Sequence, residues 1–414
     1  MDAAALPLYS STILLMKTKI FFFLLTLSLR AAETPAAKFR VVEIDNKIEI
    51  GYGVAVADVD GDGRPDVLLA DKKQFVWYRN PNWEKSVLAE NLTKEDNVCI
   101  AAADVDGDGK CEIAVGAGWN PGDTVNSGAV FYLAAPRDRA GKWEALELHH
   151  EPTVHRMRWV KNAAGKFDLV VVPLHGRGNK NAQGDGVKIL AYKMPADPKQ
   201  PWATEAIDES LHLTHNFQPV NWGKRTADEL LVAGKEGVFH LVPDGKGWKR
   251  VQLAGNPTGQ TNFAGAGEVR VGKSGAGKIF IATVEPMHGN QLVVYTPPPG
   301  NAPGSLWQRH VLDDTLVDGH ALACADLAGA GADQIVVGWR AMNKPGVKVG
   351  IKLFTPLDRE GKDWQATLID DNTMACEDLT LADLNGDGKL DIVAAGRATK
   401  NVKIYFNESG AGGK

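Results

Sequence analysis

The apolar residues of this chain fall in short runs. Segments such as GVAVA, DVLLA, FVWYR and SVLAE are cut by Gly, Asn, Asp and Pro, and helical spacing is scarce. β-Branched and aromatic residues crowd these runs, which predicts strands joined by tight turns. The order repeats. In the first unit GYGVAVADV, DVLLAD, FVWYRN and WEKSVLAE predict four consecutive strands. Trp83, Trp143, Trp202, Trp248, Trp307 and Trp364 open the fourth strand of successive units, at spacings of 60, 59, 46, 59 and 57 residues.

A period near fifty with several strands per unit predicts an all-β fold, a seven-bladed β-propeller of four-stranded blades. The units open near Gly51, Asn97, His155, His215, Asn262, His320 and Glu377. The last ends at VKIYFNESG without a fourth strand. KFRVVEID (38–45) supplies it, so the N-terminal strand joins the last blade and leaves no open edge.

The remaining composition narrows the picture. Of 414 residues, 44 are Gly and 21 are Pro, as a turn-rich fold requires. The net charge of −5 is spread without a basic run, which argues against a nucleic-acid partner. MKTKIFFFLLTLSLRAAE has two lysines, an apolar core and small residues, the pattern of a signal peptide. We expect a leader over 1–32, with Met16 an alternative start, and a propeller over 38–408. The mature chain is then exported, periplasmic or secreted, with no membrane segment after processing. Cys99, Cys111, Cys324 and Cys376 are too few for a disulfide scaffold.

ADVDGDGRPD (57–66) recurs as ADVDGDGKCE and ADLNGDGKLD. Each lies between predicted strands one and two. Position twelve is Leu69, Val115 or Ala394, where a helix–loop–helix calcium sensor needs a bidentate Glu, so these are not EF-hands. The pattern resembles the FG-GAP/VCBS repeat of integrin-type propellers. Alternating hard oxygens suit Ca²⁺, and about three ions are expected. Their ligands are Asp58, Asp60, Asp62 and Asp66; Asp104, Asp106, Asp108 and Glu112; and Asp383, Asn385, Asp387 and Asp391. Blade six has Ala328 and Ala330 at the matching places and is expected to bind none.

Six positions before the first loop acid, strand one begins near the channel mouth. There stand Tyr52, His155, His215, His320 and Glu377, with Asn97 or Val98 in blade two and Asn262 in blade five. Seven-fold repetition turns these side chains to one axis. Three imidazoles and a carboxylate form a metal-site composition for one Zn²⁺, Mn²⁺ or Mg²⁺. The strand two-to-three connections add His175, Arg177, Glu285, His288, Arg340 and Arg397, with Trp119 and Trp339 as sugar-stacking platforms. A water-filled channel is often polar without function, but five of ten histidines at mouth positions weigh against that bland reading.

HRMRW, PLHGRG, THNF, EPMHG and DGHAL on this scaffold resemble the propeller domain of aldos-2-ulose dehydratases. The resemblance implies a metal-dependent sugar dehydratase, a carbon–oxygen lyase that eliminates water or a β-leaving group from a keto-sugar or keto-glycoside. His155, His215 and His320, aided by Glu377, would hold the metal. His175 or His288 would take the α-proton, and Arg177 and Arg340 would bind hydroxyls. Two alternatives stay open. One is a polysaccharide lyase using His or Tyr52 as base. The other is a non-catalytic, calcium-stabilised propeller that binds carbohydrate or protein.

Overall fold

The computed structural model describes residues Met1, 37–245, 247–256, 263–301, 304–342 and 346–410. The leader expected over 1–32 lies, but for Met1, outside them. The described strands form seven antiparallel sheets of four strands each. Blade one consists of Gly53–Ala57, Asp66–Ala70, Gln74–Arg79 and Glu84–Glu90, as the hydrophobic pattern predicts. The innermost strands of the next six blades are Cys99–Ala103, Val154–Lys161, Thr214–Val220, Val269–Lys273, Gly319–Ala325 and Cys376–Ala382. Each touches the innermost strand of both neighbours, and the seventh touches the first, so the circle closes.

Closure is made by Phe39–Asp45, which pairs with Asn401–Asn407 as the outermost strand of blade seven. The core follows the same symmetry. Seven apolar clusters occupy the seven interfaces between adjacent blades, because each sheet buries both faces against its neighbours. Tryptophans at the start of strand four serve this packing. The indole N–H groups of Trp143, Trp202 and Trp364 donate to Arg139, Pro198 and Gly361 carbonyls in the preceding turn.

Blade five departs from the expected spacing. Asn262 lies outside the described residues, and strand one begins later, at Val269. A longer, glycine-rich connection precedes it, so the mouth position belongs to Gly267, whose carbonyl faces His215, and Glu268 follows it one residue further in. The thiols of Cys99 and Cys111 are free and point to opposite faces of blade two, into different clusters.

Candidate functional site

Four innermost strands carry a bulge at the mouth. The pairing register with strand two shifts at His155, His215, His320 and Glu377, each the second residue of its strand. A bulge inserts one extra residue and re-aims its side chain. The three histidines are then stapled to the following blade. His155 Nδ1 donates to His215 O (2.7 Å), His215 Nδ1 to Gly267 O (3.1 Å) and His320 Nδ1 to Glu377 O. A carbonyl only accepts, so the proton sits on Nδ1 in all three and the Nε2 lone pair faces the channel.

His288 completes the group from the two-to-three loop of blade five. One nitrogen each of His215, His288 and His320 lies within 4.8 Å of the others. His215 Nε2 and His288 Nε2 are 2.7 Å apart. Since the His215 proton is on Nδ1, His288 donates through Nε2–H and accepts at Nδ1 from Arg340 Nη2 (3.3 Å). Burial first, then the fields of Arg156 and Arg340 and of one another, push these imidazoles below the usual histidine range and keep them neutral.

The circle continues through all seven blades. His155 stacks on the half-buried Trp119 at 5.0 Å, and its Nε2 accepts from Arg156 at 3.1 Å. Trp119 pairs through its backbone with Asp96, which accepts from Tyr52 O–H at 3.0 Å. Arg397 lies 5.3 Å over the Tyr52 ring and donates to Glu377 at 2.9 Å. Arg340 donates to the other Glu377 oxygen at 2.6 Å and to Asp318 Oδ2 at 3.0 Å. Burial and then the Asp96 charge raise the Tyr52 phenol, so it stays protonated and donates.

These positions differentiate the expected residues. His215 and His320 come together, joined by His288, which sequence reasoning had given to proton transfer. His155 stands beside them with its Nε2 engaged by Arg156. Glu377 gives both oxygens to arginines. His175 is half-buried, its Nδ1 without a partner, and burial lowers its pKa. Arg177 turns outward to Val125 O and Glu151. Glu285 is bound by Thr283, Tyr295 and Arg309 within its own blade. Trp339 is buried between blades five and six rather than open to a sugar.

Asp318 was not anticipated. It sits at φ 61° just before strand one of blade six, in the left-handed region. Its Oδ1 is buried without a hydrogen-bond partner, 3.8 Å from His288 Nδ1. Moving the His288 proton from Nε2 to Nδ1 would free the Nε2 lone pair and give Asp318 its partner. That is the arrangement a metal-ligating histidine needs, so the donor set fits a divalent ion. The DG of DGHAL was the available signal, a turn residue abutting the mouth histidine.

The acidic loops lie at the other end of strand one. In blade one Asp58 accepts from Gly61 and Gly63 N–H, and Asp62 from Arg64 N–H. Blades two and seven repeat this. Oxygens of Asp58, Asp60 and Asp62, and of Asp104, Asp106 and Asp108, converge within 4.8 Å. This hard-oxygen set fits Ca²⁺. The fourth acid has a second task. Asp66 receives Val59 and Asn80 N–H, Asp391 receives the matching Leu384 and Asn407 N–H, and Glu112 receives Val105 N–H. Gln334 does the same for Ala328 in blade six, where the alanines stand, so this bond belongs to the hairpin itself.

Comparison with known proteins supports this reading. The family model for the aldos-2-ulose dehydratase β-propeller domain matches residues 127–298, and that for an FG-GAP-like repeat matches 51–115. The first span holds His155, His175, His215 and His288, whereas His320 and Arg340 lie beyond it. Aldos-2-ulose dehydratase of Phanerodontia chrysosporium is 28% identical over 272 residues, covering 58% of this chain and 29% of that protein. The chain thus matches under a third of that relative's length. A chain of the mitotic checkpoint complex superposes with a TM-score of 0.53 at 14% identity, over 96% of this chain and 98% of its own. The extracellular domain of a hybrid two component system from B. thetaiotaomicron gives 0.50 at 10% identity, over 89% and 39%. At such identities these two show the fold alone. The chain is a seven-bladed propeller with FG-GAP-like repeats that resembles the propeller domain of aldos-2-ulose dehydratase.

Proposed function

We propose that this chain is an exported, metal-dependent sugar dehydratase acting at the channel mouth. The observation that carries the reading is the trio of neutral imidazoles, His215, His288 and His320, with nitrogens within 4.8 Å of one another. Its support is the sequence likeness to a dehydratase propeller over residues 127–298, which hold His215 and His288. These three residues would hold a divalent ion of the Zn²⁺ or Mn²⁺ class, and Mg²⁺ suits three imidazoles poorly. When bound, that ion supplies Lewis acidity toward a keto oxygen.

The chain's own residues do the rest. Trp119, half-buried at the rim, offers a face for a sugar ring, and Tyr52 and Arg397 border it. His175, half-buried and held below the usual histidine range by burial, is the candidate base for the proton next to the keto group. Arg340, held by Asp318 and Glu377, keeps a rigid guanidinium beside His288 for a substrate hydroxyl. Loss of the α-proton and of the neighbouring hydroxyl as water leaves an enone. Ca²⁺ in the loops of blades one, two and seven stiffens the opposite end of the propeller.

Elemental analysis of the purified protein, re-equilibrated with mixed divalent ions after chelation, tests this. About one transition-metal ion per chain is expected in the wild type and none in His320→Ala. A keto-sugar panel followed by enone absorbance should then show turnover that the variant lacks. Calcium alone in the wild type would remove the metal-assisted reading and favour the non-catalytic binding propeller.

A further inference from the structure

Next to the histidines the channel carries a second charged layer that the proposed function leaves unused. Blade three contributes Arg156 and Arg158, blade five Glu268 and Arg270, and blade seven Asp378. Met157 and Trp159 alternate with the two arginines and pack into the core between blades two and three, which leaves Arg156 and Arg158 on the opposite side. Arg156 and Glu268 are buried, at 5% and 1% exposure, and Arg158, Arg270 and Asp378 are half-buried.

Its charges do not balance. Arg158 donates to Met157 O at 2.7 Å, and Arg156 to His155 O and Nε2. Neither has a carboxylate within 4.0 Å among the described residues. Arg270 donates to Val269 O and lies 3.5 Å from Glu268. The two acids have other neighbours as well, and one Glu268 oxygen is buried without a hydrogen-bond partner. Asp378 accepts from Val54 and Leu379 N–H, and Glu268 accepts from Asn216 at 2.6 Å and faces His215 at 3.5 Å. Three guanidiniums against two carboxylates leave one positive charge over. Burial and then the field of Arg270 push Arg158 down to about 10. Buried charge without a partner is expensive, and guanidinium forks match anions in plane and charge.

We infer that Arg156, Arg158 and Arg270 form an anion site in the channel next to the histidines, taking one monovalent anion, a halide or a carboxylate. A single excess charge selects a monovalent ligand over phosphate or sulfate. The site stands on these arginines alone and does not depend on the dehydratase reading.

Chloride-35 NMR on the full purified chain tests it. The wild type is expected to broaden the chloride line in a saturable way, and bromide to reverse this. Reversal by acetate as well would extend the site to free carboxylates, including one carried by a substrate. The Arg158→Met/Arg270→Met variant, checked for native circular dichroism, should lose the broadening. No broadening in the wild type, or broadening unchanged in the folded variant, would overturn the site. Should the variant fail to fold, wild-type crystals grown in bromide decide. An anomalous peak against the three guanidiniums supports the site, and peaks at the surface only would overturn it.

Discussion

Asp318 and His288 both hold positive φ without being glycine, at 61° and 52°. Such backbone persists where the surroundings over-determine it, and it clusters at functional sites. Here it brings a buried carboxylate oxygen to the outer nitrogen of His288, while Arg340 occupies the other oxygen. Asp318 is therefore a positioning residue for His288. Asp318→Asn should weaken transition-metal affinity about 10–100-fold, in line with other partners of metal-bound histidines. Competition with a chromogenic chelator reads this directly. Unchanged affinity would mean that His288 binds without the proton shift described above. His175 is legible in PLHGRG as a mouth residue, yet its burial, which lowers its pKa, is set by contacts that spacing cannot reveal. His175→Ala should abolish enone formation and leave metal content intact, and full turnover in that variant would remove it as the base.

At the scale of the element, the strand one-to-two hairpin is a repeated device with and without ion ligands. Asp326 in blade six wraps its loop by accepting Ala330 and Gly331 N–H, as Asp58 does with Gly61 and Gly63. The loop conformation thus needs only the first acid and the glycines, whereas the second and third acids add an ion. An Asp104→Ala/Asp106→Ala variant should bind about one calcium fewer, and Ala328→Asp/Ala330→Asp should gain about one. Each filled site adds about 2.7 kcal/mol when calcium stands at 100 times Kd, so chelation should lower the melting temperature. A melting curve indifferent to chelator would remove calcium from these loops. The mouth bulges belong to this scale too. They occur in blades three, four, six and seven, where the strand carries His155, His215, His320 or Glu377. Blades one, two and five pair regularly at the mouth.

The whole molecule depends on its closing strand. Asp45, at the end of Phe39–Asp45, leaves its own blade to accept from Tyr78 O–H (2.7 Å) and Lys85 Nζ (2.8 Å) of blade one. Burial would raise this carboxyl, but the bonds from Lys85 and Tyr78 outweigh it and hold the pKa below the usual value. The folded pKa is depressed, so the contribution is present above the unfolded value near about 3.9 and fades as pH falls through the folded one. Asp45→Asn should cost about 1 kcal/mol near neutrality, a modest figure because Lys85 is partly in water. The difference from wild type should shrink in acid. Urea unfolding at pH 7 and pH 3 measures both, and an equal gap at the two values would contradict the pairing.

Strand number, blade count, the closing strand and the acid loops were legible along the chain. Each rests on local pattern: short continuous apolar runs, turn glycines and a repeat that any blade displays alone. The mouth histidines were legible as a class for the same reason, since seven-fold repetition turns equivalent positions to one axis. Which of them meet was not. His288 joins His215 and His320 through a loop whose reach depends on backbone at positive φ. His155 is taken by Arg156 because a bulge places consecutive residues together. Glu377 is drawn to Arg340 and Arg397 from two other connections. Glu268 was hidden by the longer entry into blade five, and Asp318 gained meaning only from a contact across two blades. Such choices among competing partners are made by distances of a few ångströms between distant segments, and no local pattern encodes them.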